Sequence, residues 1–222
     1  MPSRRAAIGA IAAVAGIFPA ILAQRAPATA VEPKPIRLVA FGDSLTAGYG
    51  LPKGRGFAAR LEAALKAAGH HVEVIDAGVS GDTTDTGLAR LDWSVPADAQ
   101  AVIVELGAND ALRGLPPSET RRNLDEIVGR LTGRGQKVLI GGMLAPRNLG
   151  TTYAAAFDPI FAEVAKNHGA SLYPFFLDGV AMDAKLVQSD GLHPTAEGVD
   201  VIVARILPTV RELLARVEPA RP

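Results

Sequence analysis

Two short segments hold residue types that together could cleave an acyl bond. Phe41-Gly42-Asp43-Ser44-Leu45-Thr46 follows an apolar run near the start of the chain, and Asp190-Gly191-Leu192-His193 lies near its end. A serine hydroxyl is a weak nucleophile at neutral pH. It needs a base within hydrogen-bond reach, and that base needs an orienting partner. Ser44 supplies the hydroxyl, and Asp190 and His193 supply a carboxylate and an imidazole on one short loop. If the fold brings the two ends together, the chemistry is that of a serine hydrolase. Acyl transfer also builds negative charge on the carbonyl oxygen, and donors aimed at that oxygen lower the barrier. The N–H groups of Ser44 and Gly81 and the side-chain amide of Asn109 are suitable donors. Taken singly, each of these residues has a plainer reading. Asp43 or Ser44 could cap a helix, Asp190 could help to cap the helix after Pro194, and Gly81 and Asn109 could be turn residues. Ser44 does not sit in a Gly-x-Ser-x-Gly elbow, because Thr46 occupies the second glycine position.

The elements around these residues alternate. Ile36–Phe41, Val72–Ala77, Ala101–Leu106, Val138–Gly142 and Ala170–Tyr173 read as short buried strands. Helices are expected over Phe57–Ala68, from Thr84 to Leu91, from Pro116 to Leu131 with Ser118 as a cap, over Tyr153–Asn167, and over Thr195–Val217 with a kink or interruption at Pro208. Strand–helix alternation predicts a three-layer α/β/α sandwich with a five-stranded, mostly parallel sheet. Such sheets bind ligands beyond the carboxyl ends of their strands. Ser44 follows the first strand, Gly81 the second and Asn109 the third. Asp43 is expected to brace the serine turn, and Asp82 and Asp110 to cap helices.

Composition narrows the function classes. The 222 residues carry 23 basic and 23 acidic side chains, so nothing points to a nucleic-acid partner. The absence of cysteine removes disulfides, thiolate metal sites and cysteine nucleophiles. His70 and His71 are adjacent at a strand start, point to opposite faces and make poor co-ligands, so no metal and no cofactor are expected. Residues 1–30 have the layout of a secretory signal: Arg4 and Arg5, an uncharged stretch from Ala6 to Gln24, and Ala28-Thr29-Ala30. Its removal would leave residues 31–222 as one domain with 20 basic and 23 acidic residues, periplasmic or secreted. An uncleaved N-terminal membrane anchor is the alternative.

The blocks also occur in a familiar order. Phe41 to Gly50, Asp76 to Thr83 with Gly87-Leu88-Ala89-Arg90-Leu91, Val104 to Asp110, and Asp190 to Pro194 resemble the conserved blocks of the SGNH hydrolases of the GDSL family. The likeness is greatest to the bacterial multifunctional acyl-CoA thioesterase I, arylesterase and lysophospholipase L1 type, and spans roughly residues 36–215. It implies a flavodoxin-like SGNH fold without cofactor. It implies Ser44 as nucleophile, His193 as base and acid, Asp190 as its orienter, and Ser44, Gly81 and Asn109 as the oxyanion donors. Aryl esters, acyl thioesters and lysophospholipids become the expected substrates, with transient lipid contact and an acyl groove near Leu112, Leu115, Ala145 and Pro146, lined or covered by loops 48–56 and 111–117. Two alternatives stand beside it: an exported carbohydrate acetylesterase on the same scaffold, and a non-catalytic ligand-binding domain.

Overall fold

The computed structural model describes residues 34–217. The proposed leader and its cleavage site lie outside the described residues. Among the described residues, no helix is long and apolar enough to cross a membrane.

Five strands form one sheet: β1 (Ile36–Gly42), β2 (Val72–Gly78), β3 (Ala101–Glu105), β4 (Lys137–Gly141) and β5 (Ser171–Tyr173), in the order β2-β1-β3-β4-β5. Every pairing is parallel. Between them run helices α1 (Ser44–Ala47), α2 (Phe57–Ala67), α3 (Thr84–Ser94), α4 (Ala108–Leu112), α5 (Pro117–Gly133), α6 (Thr151–Phe157) and α7 (Ile160–His168), and α8 (Ala196–Ala215) closes the chain. Helix α2 packs against α8 on one face, and α3, α5 and α7 pack side by side on the other. The central strands β1, β3 and β4 are the buried ones. Leu38, Phe41, Val102, Ile103, Val104, Leu139 and Ile140 are inaccessible to solvent, as expected for strands covered on both faces.

Three expectations are corrected. Residues 151–168 form two helices, because Pro159 has no N–H for the ladder and the Asp158 carboxylate accepts instead from the N–H of Ala145 (2.8 Å). Helix α8 runs uninterrupted through Pro208, since Ile202, Ile206, Val210 and Leu213 form one buried stripe on both sides of it. Ser118 does not cap α5, which opens on Pro117 with no side-chain cap.

The sheet order fixes where a ligand can bind. The chain leaves β1 toward β2 on one side and returns to β3 on the other, so the crossovers diverge between β1 and β3. A crevice opens beyond the carboxyl ends of strands at such a point. Register aligns Gly42 with both Gly78 and Glu105, so the turns after β1, β2 and β3 start side by side. Ser44 and Asn109 flank the crevice.

Candidate active site

The turn after β1 builds the serine side. Asp43 is the N-cap of α1, and its Oδ1 accepts from the N–H of Leu45 (2.9 Å). Ser44 is the first helical residue, half-buried, and the helix stops after one turn at Gly48 in the left-handed region. Asp43 therefore braces the turn as expected. The turn after β2 is tied to the same strand by the N–H of Val79, which donates to the carbonyl of Gly42 (3.0 Å). Thr83, not Asp82, caps α3 with a capping box. Asp82 instead makes a buried ion pair with Arg90 (2.5 Å), whose guanidinium also donates to the carbonyls of Ala77 and Gly42. Asp110 does serve a helix start, but that of α3: its carboxylate accepts from the N–H and hydroxyl of Thr84.

The other end of the chain meets this turn. His193 Nε2 lies 2.9 Å from Ser44 Oγ, and His193 Nδ1 lies 2.7 Å from Asp190 Oδ2. Asp190 Oδ1 accepts from the N–H groups of Leu192 (2.9 Å) and His193 (3.0 Å). Those two N–H groups, with the imidazole, hold its carboxyl well below the usual range, at about 2. An ionised Asp190 can only accept, so Nδ1 carries the imidazole hydrogen and Nε2 is left to accept from the Ser44 hydroxyl. The three side chains thus form one relay of hydrogen bonds from carboxylate to hydroxyl.

Two residues that sequence reasoning missed hold the relay in register. Gln188 Nε2 donates to the carbonyls of Tyr49 (2.8 Å) and Pro194 (2.9 Å), joining the serine loop to the histidine loop. A side chain at Gly50 would fall 2.5 Å from Gln188 Oε1, and its φ is +74°, so glycine is required there on both counts. The Tyr49 ring packs on the His193 ring at 4.6 Å between centroids. Loop 48–56 thus flanks the imidazole and does not line the cavity.

The expected oxyanion donors stand on the turns after β1, β2 and β3. Among the described residues, the N–H groups of Ser44 and Gly81 donate to no other protein group. The Asn109 Nδ2 donates to Asp43 Oδ2 (3.0 Å) and to the carbonyl of Asp82 (3.0 Å), next to Gly81. Both neighbours are acceptors, which fixes the nitrogen rather than the oxygen of the amide on this side.

Residues 40–201 match the GDSL-like lipase/acylhydrolase family. The chain belongs to that family. Among relatives, it is 36% identical over 178 residues to the esterase TesA of Pseudomonas aeruginosa, covering 80% of this chain and 89% of that one. It is 34% identical over 161 residues to the thioesterase 1/protease 1/lysophospholipase L1 of Escherichia coli K12, covering 72% and 76%. The crystal structure of AlinE4, an SGNH-hydrolase family esterase, is 46% identical with a TM-score of 0.69, covering 82% of this chain and 97% of that one. The GDSL chain described here is therefore an esterase-family hydrolase with the SGNH fold.

Beside Ser44, Asn109 and His193 the family site opens into a cavity of about 290 Å³. Leu112 and Pro146 line it. Leu115 and Ala145 do not: Leu115 lies between α4 and α5, where its carbonyl accepts from the Tyr153 hydroxyl, and Ala145 is buried, with its N–H donating to Asp158. Met143 and Leu144 form the wall on the β4 side. Phe175, Leu177, Ala181, Met182 and Val187 form the far wall, from a segment that shows no periodicity in the sequence. The apolar pair Phe175-Phe176 after β5 was the available signal.

Proposed function

We propose that this protein hydrolyses carboxylic esters and thioesters through an acyl-serine intermediate, with the acyl chain in the apolar cavity. The observation that carries this reading is the Asp190–His193–Ser44 relay at the mouth of a cavity lined almost wholly by apolar side chains. Ser44 Oγ attacks the acyl carbon as His193 Nε2 takes its proton. Asp190 holds the imidazolium that forms. The N–H groups of Ser44 and Gly81 and the Asn109 amide stabilise the oxyanion. His193 then protonates the departing alkoxide or thiolate. A water, deprotonated by His193, attacks the acyl carbon, and the imidazolium returns that proton to Ser44 Oγ as the carboxylic acid leaves.

The lining favours an acyl chain over a sugar, which would need polar partners. Leu112, Leu144, Met182 and Leu192 are exposed at the rim, with Tyr49 beside His193, which suits an aryl or lipid ester approaching from an aggregated surface. The names of the relatives, esterase TesA and thioesterase 1/protease 1/lysophospholipase L1, support the same substrate range. The basic, apolar and small-residue order of residues 1–30 supports export of the mature chain, where it would meet such lipids.

The test is a series of p-nitrophenyl esters and acyl thioesters of increasing chain length, with Ser44→Ala as control. Turnover should rise from acetate toward medium chains and fall to background in Ser44→Ala, which should still fold. Retained activity in that variant would remove Ser44 as nucleophile. A sharp preference for acetate with deacetylation of a polysaccharide would replace the acyl-chain reading by the carbohydrate one.

A further inference from the structure

Beneath the serine turn lies a second carboxyl, Glu105, at the end of β3. It is 0% exposed, as is Asp43 beside it. Among the described residues no cation pairs with either carboxyl: Arg90 is committed to Asp82 and to the carbonyls of Ala77 and Gly42. Glu105 Oε2 accepts from the Thr46 hydroxyl (2.7 Å) and the N–H of Asp43 (3.3 Å). Its Oε1 is buried with no partner. The space for this carboxyl is made by Gly42, where any Cβ would lie 2.1 Å from Thr46 Oγ1 and 2.5 Å from Glu105 Oε2. The site is therefore built to hold a buried acid under the nucleophile.

Two adjacent carboxylates with no counter-ion cannot both stay ionised out of water. Asp43 has the donors an anion needs, from Leu45 N–H and the Asn109 amide. Both donors to Glu105, the Thr46 hydroxyl and the Asp43 N–H, fall on Oε2, so Oε1 is free to carry a proton and donate it to the adjacent Asp43. We propose that Glu105 is a positioning residue that works as a neutral acid: it donates to Asp43 and so keeps Asp43 the one carboxylate that caps the serine turn and holds the Asn109 amide toward the substrate carbonyl. The inference rests on the hydrolase reading above for its catalytic consequence, though not for the protonation state itself.

Burial is the main cause for both groups. It raises Asp43 to about 6 despite its hydrogen bonds, and raises Glu105 well above the carboxylate range, with the Asp43 charge adding to it. Below that value a proton on Asp43 removes the acceptor that orients Asn109. The other charged groups near Asp43 do not substitute for this control. His193 faces it across Ser44, Asp82 and Arg90 neutralise each other from the β2 turn and α3, and the Asp110 carboxylate on α4 is taken up by Thr84 and Thr120.

Infrared difference spectroscopy on the full chain tests the protonation state directly. A carbonyl band of a protonated buried carboxyl should be present at neutral pH and absent from Glu105→Gln. Its absence from the unsubstituted protein would overturn the proposal and leave the hydrolase reading untouched. Kinetics test the positioning. Glu105→Leu, which cannot donate, should lower kcat at least tenfold at neutral pH and move the acid limb of kcat/KM upward. Glu105→Gln should rescue most of that loss and return the limb to its original position, because the amide N–H replaces the acid proton. If Glu105→Gln instead moves the limb downward, Glu105 is an anion in the native protein and the proposal fails. If Glu105→Leu lowers only the melting temperature, the residue serves packing alone, and the proposal fails too. If Glu105→Leu does not fold, the infrared band and the Glu105→Gln limb decide the matter.

Discussion

Replacing Asn109 by alanine separates catalysis from packing at a residue that serves both. In the resting site its amide nitrogen is shared between Asp43 Oδ2 and the carbonyl of Asp82, each at 3.0 Å. The catalytic part of the loss is one oxyanion donor, worth on the order of 3 kcal/mol, so kcat should fall about 10²–10³-fold. The structural part follows from the burial of Asp43, which is 0% exposed and accepts the Asn109 amide at Oδ2. Leaving a buried acceptor short of its partner costs roughly 1–3 kcal/mol. In a domain of this size that lowers the melting temperature by about 2–4 °C for each kcal/mol. The assay is steady-state hydrolysis of a medium-chain p-nitrophenyl ester, run well below the variant's own melting temperature, with a thermal melt in parallel. A kcat loss of the stated size with KM nearly unchanged places the donor in the transition state. A folded variant whose kcat stays within about fivefold of the parent, or whose whole deficit is in KM, would refute the oxyanion assignment.

Two further outcomes follow from the same geometry. Gln188→Ala removes the bond to Tyr49 that joins the two loops and the bond to Pro194 within the histidine loop, about 1–3 kcal/mol together; kcat should fall roughly 10–100-fold with little change in KM, and an unchanged kcat would show that the loops hold register without it. The raised Asp43 contributes stability that is complete below the ordinary carboxylate range and lost as pH climbs through about 6, Glu105, raised well above that range, extends the loss to higher pH, and the depressed Asp190 contributes stability that is lost only as pH falls toward about 2. Urea melts should therefore show greater stability near about pH 5 than near about pH 7.5, with a shallower slope in Glu105→Gln; a slope of opposite sign contradicts the direction assigned to the pair.

Much of this arrangement could be read from the chain, for identifiable reasons. Ala101–Leu106 announces a buried strand because five apolar residues stand between turn residues, and such a run has few other places to go. Ser44, Gly81 and Asn109 were placed together because parallel topology brings the turns after adjacent strands to one edge. What failed did so where packing overrode a local rule, or where a contact joins distant segments. Pro208 breaks a ladder hydrogen bond, yet the apolar stripe on both sides of it keeps α8 whole. Pro159 obeys the rule, but the apolar spacing across Tyr153–Asn167 concealed it. Gln188 could not be found, because its partner is a backbone carbonyl 139 residues away. Glu105 left a signal that was available: a single acid inside an apolar strand must either find a counter-ion or stay neutral.

The two halves of the site are held by different physics, and this bears on how the enzyme can change. Ser44, Asp43, Asn109 and Glu105 sit on the ends of β1 and β3 or in the turns directly after them, so their positions are set by the sheet itself. Asp190 and His193 sit on an exposed loop whose shape is set by hydrogen bonds: Asp190 to two N–H groups, Gln188 N–H to the His193 carbonyl (2.7 Å), and Thr195 N–H to the Leu186 carbonyl (2.8 Å) where α8 begins. A Cβ at Gly198 would strike that same Leu186 carbonyl at 2.2 Å, so the loop is seated on the first turn of α8, and α8 on α2. The far cavity wall, residues 175–187, lies between β5 and this loop and supplies none of the relay. Substitutions at Phe175, Ala181 or Met182 can therefore reshape the cavity while the 2.9 Å contact between Ser44 and His193 is kept by other residues. On the proposed reading, chain-length preference can change without loss of the relay, because different stretches of chain form the cavity wall and the relay.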